Sequence, residues 1–134
     1  MTDAASTGAI AGFWSVWLMA ARPATLTAAV TPVLVGTATA SHDGHFRVLP
    51  FAGALLAAAL IQVGTNLGND LADFERGADA ADRLGPPRVT QSGLASPQSV
   101  RTAMYLAFGA AAAIGVYLIA VGGWPILVIG VLSI

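Results

Sequence analysis

The sequence predicts an all-α, multi-span transmembrane helical bundle, and three observations lead to that class. Of the 134 residues, 56% are hydrophobic and only 10% charged, with a mean hydropathy of +0.74; an ordinary soluble domain carries roughly 25% charged residues. Long apolar stretches recur, separated by short polar segments. Five of the seven acidic residues lie between Asp70 and Asp82, just after the apolar run Val48 to Leu60. Carboxylates at the end of a membrane-length helix are costly unless a cation or water meets them.

The elements follow in order. Met1 to Thr7 is small and polar and reads as a disordered tail. Gly8 to Ala21 is apolar, carries Trp14 and Trp17 and meets Arg22-Pro23. It reads as an interfacial helix with an aromatic anchor, so residues 1–23 form a tail and a headgroup-level helix. Pro23 suits the first position of the next helix, where its missing N–H costs nothing. Ala24 to Ala40 is the first span, with Arg22 and Pro23 at its mouth, because a crossing takes roughly 20 apolar residues. Thr25, Thr27, Thr31, Gly36 and Thr37 suit it to close packing, and Pro32 should kink it. Ser41 to Arg47 is a polar turn containing Gly44. Val48 to Asn69 is the second span, and residues 70–100 are the one long hydrophilic loop. Thr102 to Gly122 is a third span, whose Gly109 and alanine run favour tight packing. Gly123 turns the chain, and Trp124-Pro125 opens a fourth apolar helix that stops at Ile134, too short to cross. The expectation is three full spans and part of a fourth, the N-terminal part of a single longer domain.

Composition also excludes. There is no Lys, the six basic residues are all Arg, and net charge is −1, so no basic surface exists for nucleic acid. Absent cysteine excludes disulfides, thiolate metal sites and a cysteine nucleophile. Met1 to Gly12 holds no Arg or Lys and no cleavage pattern, so no cleaved signal peptide is expected. Arg76, Arg83, Arg88 and Arg101 fall between spans two and three, against Arg47 alone in the opposite turn. The positive-inside rule then makes the acidic loop and the N-terminus cytoplasmic in a multi-pass cell-membrane protein, with the Ser41–Arg47 turn outside.

Continuing the second helix through Asp73 puts Asn66, Asp70 and Asp73 at i, i+4 and i+7, and Asn69 and Asp73 at i, i+4. Carboxylates crowded on one half of a helix repel one another, and a divalent cation removes the conflict. Amide and carboxylate oxygens without His or Cys select a hard ion, Mg²⁺ first. Arg76, Arg83 and Arg88 suit phosphate oxygens, which guanidinium forks pair bidentately. Together these features suggest an amphiphile with a diphosphate head and a tail among the helices. The plainer reading is a solvated connector whose Asp–Arg pairs contribute little.

The string Asn66-Leu67-Gly68-Asn69-Asp70-Leu71-Ala72-Asp73-Phe74, then Gly77-Ala78-Asp79, then Gly85-Pro86-Pro87-Arg88-Val89-Thr90-Gln91-Ser92-Gly93, resembles the first aspartate-rich motif of the UbiA superfamily of intramembrane prenyltransferases. Its form is similar to the branch that prenylates 1,4-dihydroxy-2-naphthoate in menaquinone synthesis. Arg22-Pro23-Ala24-Thr25-Leu26 and Thr31 to Ala38 resemble that branch's first helix. The resemblance implies Mg²⁺ as cofactor, with a polyprenyl diphosphate and the naphthoate as partners in the lipid bilayer. It implies Asp70 and Asp73 as catalytic residues and Asn69, Asp70, Asp73 and Asp79 as metal ligands. Asn66, Asn69, Arg22, Arg83 and Arg88 would bind substrate, and Thr90 and Gln91 either contact a substrate or cap the loop. The implied reaction is ionisation of the allylic diphosphate, attack by the aromatic ring and loss of CO₂, giving demethylmenaquinone.

The chain departs from that pattern in two places. Gly77 stands where the general superfamily motif has its last aspartate, and no acid follows Asp82, so a second aspartate-rich motif is missing. This polypeptide is expected to need the missing C-terminal half of the bundle and to be inactive alone. The alternatives are a small membrane ion-binding or transport module, a noncatalytic packing subunit, or a prenyltransferase with another aromatic acceptor. Transporters place ionisable residues near the bilayer midplane, whereas these sit at a helix end.

Overall fold

In a computed structural model, residues 4–77 and 88–132 are described, with side chains from residue 12 onward. The order is α1 (Ala4–Ala21), α2 (Pro23–His42), α3 (Val48–Glu75), α4 (Pro97–Gly122) and α5 (Trp124–Leu132), with no strand among the described residues. Three of these, α2, α3 and α4, are long and apolar enough to cross a membrane. The all-α, multi-span class therefore holds. Two boundaries differ from expectation. Helix α1 already begins at Ala4, within the stretch expected to be disordered. The hydrophilic loop expected over 70–100 is shorter at both ends, because α3 continues to Glu75 and α4 starts at Pro97.

The break between α1 and α2 falls at Arg22, the one described non-glycine residue with positive φ (51°). Proline disfavours the right-handed helical region for the residue before it, so a helix tends to end there. Pro23 then restarts it, and the Thr25 N–H and hydroxyl both donate to the Arg22 carbonyl at 2.9 Å. Helix α4 begins on a cap in which the Ser96 hydroxyl accepts the Ser99 N–H at 3.1 Å, with Pro97 following.

Helices α3 and α4 form the main antiparallel pair, and α2 and α1 lean on α3. Close approach is set by α3's own glycines. A Cβ at Gly64 would lie 2.9 Å from the Phe108 ring, and one at Gly68 would lie 3.2 Å from the Met104 sulfur. Gly109, the glycine expected to pack, faces open space; Ala107 and Ala111 on the same helix are the buried small residues. Helix α2 buries no residue, and Gly36 meets nothing. Thr27 and Thr31, expected to pack, instead donate to carbonyls of their own helix at 2.9 and 2.7 Å. That satisfies their hydroxyls without a neighbour, as an apolar surrounding demands. The buried cluster Ala20, Leu67, Leu71, Val89 and Val100 sits at the C-terminal end of α3 and joins α1, α3, α4 and the turn before α4.

Candidate active site

Directly around that cluster lie the polar residues singled out by the sequence. They are carried on the last turns of α3 and on the turn 88–95, and both positions have a local cause. Arg76 and Gly77 close α3, Gly77 with a φ of 61° that residues bearing a Cβ rarely adopt. The turn folds on its own carbonyls: the Ser92 N–H donates to Arg88 O at 2.9 Å, and the Leu94 and Ala95 N–H groups donate to Val89 O at 2.9 and 3.1 Å. Gly93 supplies the positive φ of 68° that this reversal needs.

Asn66 is buried, and its amide joins three elements. Its Nδ2 donates at 2.8 Å to the Ala21 carbonyl and at 2.8 Å to the Thr25 hydroxyl, while Oδ1 accepts from Gln62 at 3.3 Å. As placed, it ties the α1–α2 corner, and with it the half-buried Arg22, to α3. Asn69 is exposed on the next turn, and half-buried Asp73 follows four residues later on the same face. Arg88 is buried; its Nη1 donates to the Asn69 carbonyl at 2.7 Å and its Nη2 pairs with the Asp73 carboxylate. Asp70 turns away from both, 2% exposed, with Oδ2 accepting the Val89 N–H at 3.1 Å. Thr90 is buried beside Val89, and Gln91 is exposed. Arg101 at the start of α4 donates to Glu75 at 2.5 Å across an exposed surface.

The structure thus brings Asn66, Asn69, Asp70, Asp73 and Arg88 to one end of α3, with Asn66 engaged by the α1–α2 corner, Asp70 by Val89 and Asp73 by Arg88. Asp79 and Arg83, expected as metal ligand and phosphate contact, lie outside the described residues. Among the described residues no three His, Asp or Glu side chains come together as a metal cage. What remains is a pair of oxygen-bearing side chains, Asn69 and Asp73, one turn apart at an accessible helix end. Such a pair fits one side of a Mg²⁺ site, since Mg²⁺ typically takes one or two protein carboxylates and fills its shell with water and phosphate. Sequence reasoning missed Val89 and Thr25, which hold the site together. Val89 has a backbone signal only, its N–H, and Thr25 was read as a small packing residue.

The family model described as the UbiA prenyltransferase family matches residues 29–134. Over 90 residues the chain is 41% identical to a 1,4-dihydroxy-2-naphthoate octaprenyltransferase of Escherichia coli, covering 67% of this chain and 29% of that protein. A protein of the same name from Bacillus subtilis is 34% identical over 113 residues, covering 84% of this chain and 36% of its own. A third, from Mycobacterium tuberculosis, is 42% identical over 98 residues, covering 72% and 33%. The chain spans about a third of the length of these curated relatives. No solved structure matches it. With most of its length matched by the family model and its spans and polar helix end in place, the chain belongs to the UbiA prenyltransferase family.

Proposed function

We propose that this chain supplies part of the diphosphate-binding mouth of a membrane enzyme that transfers a polyprenyl group to 1,4-dihydroxy-2-naphthoate, releasing CO₂ and diphosphate and giving demethylmenaquinol, the reduced form of demethylmenaquinone. The observation that carries the reading is the end of α3, where Asn69 and Asp73 share an accessible face and Arg88 is locked against Asp73. The names of the relatives supply the acceptor and the prenyl donor class. By the positive-inside rule this end and the N-terminus are cytoplasmic.

Asn69 and Asp73 would hold Mg²⁺, with Asp79 as a further ligand from outside the described residues. The ion, when bound, draws charge from the diphosphate leaving group. Arg88 fixes the Asp73 carboxylate, and Arg22 and Arg83 present guanidinium groups to phosphate oxygens. The apolar faces of α2, α3 and α4 keep the prenyl tail and the reacting carbon away from water, which strengthens every charge interaction at the mouth. The allylic C–O bond breaks, its electron pair leaving with the diphosphate, and the electron-rich ring attacks the allylic cation.

The test is prenyl transfer to 1,4-dihydroxy-2-naphthoate in membranes, with Mg²⁺ and a polyprenyl diphosphate. It compares the chain alone with the chain joined to the C-terminal portion of the Escherichia coli relative. Transfer is expected only in the joined form and should fall on the order of 100-fold with Asp73→Asn. No transfer by a joined protein shown to be folded would overturn the reading in favour of an ion-binding module. Transfer by the short chain alone would overturn the requirement for a second aspartate-rich motif.

A further inference from the structure

Asp70 stands beside Asn69 in sequence and three residues before Asp73, yet it shares neither their exposure nor their surroundings. At about 100° per residue, Asp70 points about 100° away from Asn69 and about 60° from Asp73, on the flank of the face those two share. That flank packs on the turn 88–95 and on α4, where Leu67 and Leu71 meet Val89 and Val100. Asp70 is 2% exposed there and Val89 0%. Its Oδ2 accepts the Val89 N–H at 3.1 Å, and its Oδ1 is buried without a hydrogen-bond partner among the described residues. A backbone N–H as deeply buried as that of Val89 has no water to fall back on if this acceptor is removed.

We infer that Asp70 is a positioning residue and not a metal ligand: its carboxylate bolts the turn 88–95 to α3 through the Val89 N–H and so sets Arg88 against Asp73. The turn's other backbone bonds close on the turn itself, from Arg88 to Ala95. Its polar attachments to α3 include the Asp70–Val89 bond and the contacts of Arg88 with Asn69 and Asp73. Arg88 immediately precedes Val89, so the backbone bond at Asp70 determines where the guanidinium starts from. The aspartate-rich motif divides by packing, Asp73 and Asn69 facing out and Asp70 facing in. The metal part of this inference rests on the proposed function; the docking of the turn does not.

The experiment uses the full chain in proteoliposomes and reads two quantities. The first is tryptic cleavage after Arg88, a residue 7% exposed and so protected in the folded chain. Asp70→Ala is expected to speed that cleavage about tenfold or more, because proteolysis follows the population of the opened state. Asp70→Asn keeps an oxygen that accepts the same N–H and is expected to restore most of the protection. The second quantity is Mn²⁺ affinity by electron paramagnetic resonance. Asp70→Ala should weaken it about tenfold through the displaced Asp73, as loss of a supporting group does, and Asp70→Asn should return it to within about threefold of the parent. Asp73→Asn should stay weak. Unchanged protection of Arg88 in Asp70→Ala would overturn the inference, as would an Asp70→Asn variant that binds Mn²⁺ as poorly as Asp73→Asn. A parent chain that binds no Mn²⁺ would count against the proposed function, while the cleavage rates would still decide whether Asp70 holds the turn.

Discussion

The C-terminal end of α3 and the turn that leads into its N-terminal end both carry polar residues and use them in opposite ways. At the C-terminal end, Asn66, Asp70 and Arg88 are buried and each bonds across to another element. In the turn before α3, the side chains of His42, the last residue of α2, and Asp43 bond to each other at 3.3 Å, 89% and 60% exposed. His45 and Arg47 border an apolar cavity of about 370 Å³ between Pro32, Phe46 and Phe51. A buried polar group costs free energy unless it is fully paired, so a chain that keeps several at one helix end is constrained there by more than solubility. The exposed pair is screened by water and contributes little.

Substitutions should reproduce this asymmetry, and the largest effect is expected at Asp73. In the joined form, Asp73→Asn should lower prenyl transfer on the order of 100-fold, measured as product formed per folded protein. Asn66→Ala should come next, destabilising the chain by about 2–3 kcal/mol in detergent unfolding, because the Ala21 carbonyl and the Thr25 hydroxyl lose their buried donor. Gly64→Ala should cost about 1–3 kcal/mol, since its Cβ would press on the Phe108 ring at 2.9 Å. Gly36→Ala, where a Cβ meets nothing, should be neutral or stabilising by up to about 1 kcal/mol in the same unfolding measurement. Asp43→Asn should leave stability unchanged. A loss at Asp43 comparable to that at Asn66 would erase the distinction between the two ends.

Much of this was legible in the residues, for reasons that also mark the boundary of legibility. Apolar length placed α2, α3 and α4, and Arg22-Pro23 placed the corner between α1 and α2, because both signals are local. The polar string 66–73 lies near the C-terminal end of α3, as its position after the apolar run foretold. What the string did not reveal is which side of α3 would be covered. Helical periodicity keeps Asp70 and Asp73 on one half of the cylinder, and only the arrival of Val89, nineteen residues on, decides that Asp70 is the inward one. Nor does the string show that the Asn66 amide meets the Ala21 carbonyl and the Thr25 hydroxyl, which lie more than forty residues away in the chain. The packing glycines were misjudged for the same reason. Gly64 and Gly109 look alike in sequence, and only the facing residue, Phe108 or none, distinguishes them.

The central claim is that the C-terminal end of α3, and not its N-terminal end, receives a metal-bound diphosphate. The most direct measurement is Mg²⁺-dependent binding of a fluorescent polyprenyl diphosphate to the full chain and to its Asp73→Asn and Asp43→Asn variants. Binding that requires Mg²⁺, weakens about tenfold or more in Asp73→Asn and is unchanged in Asp43→Asn is the expected result. Equal binding by all three proteins, or binding indifferent to Mg²⁺, would contradict it.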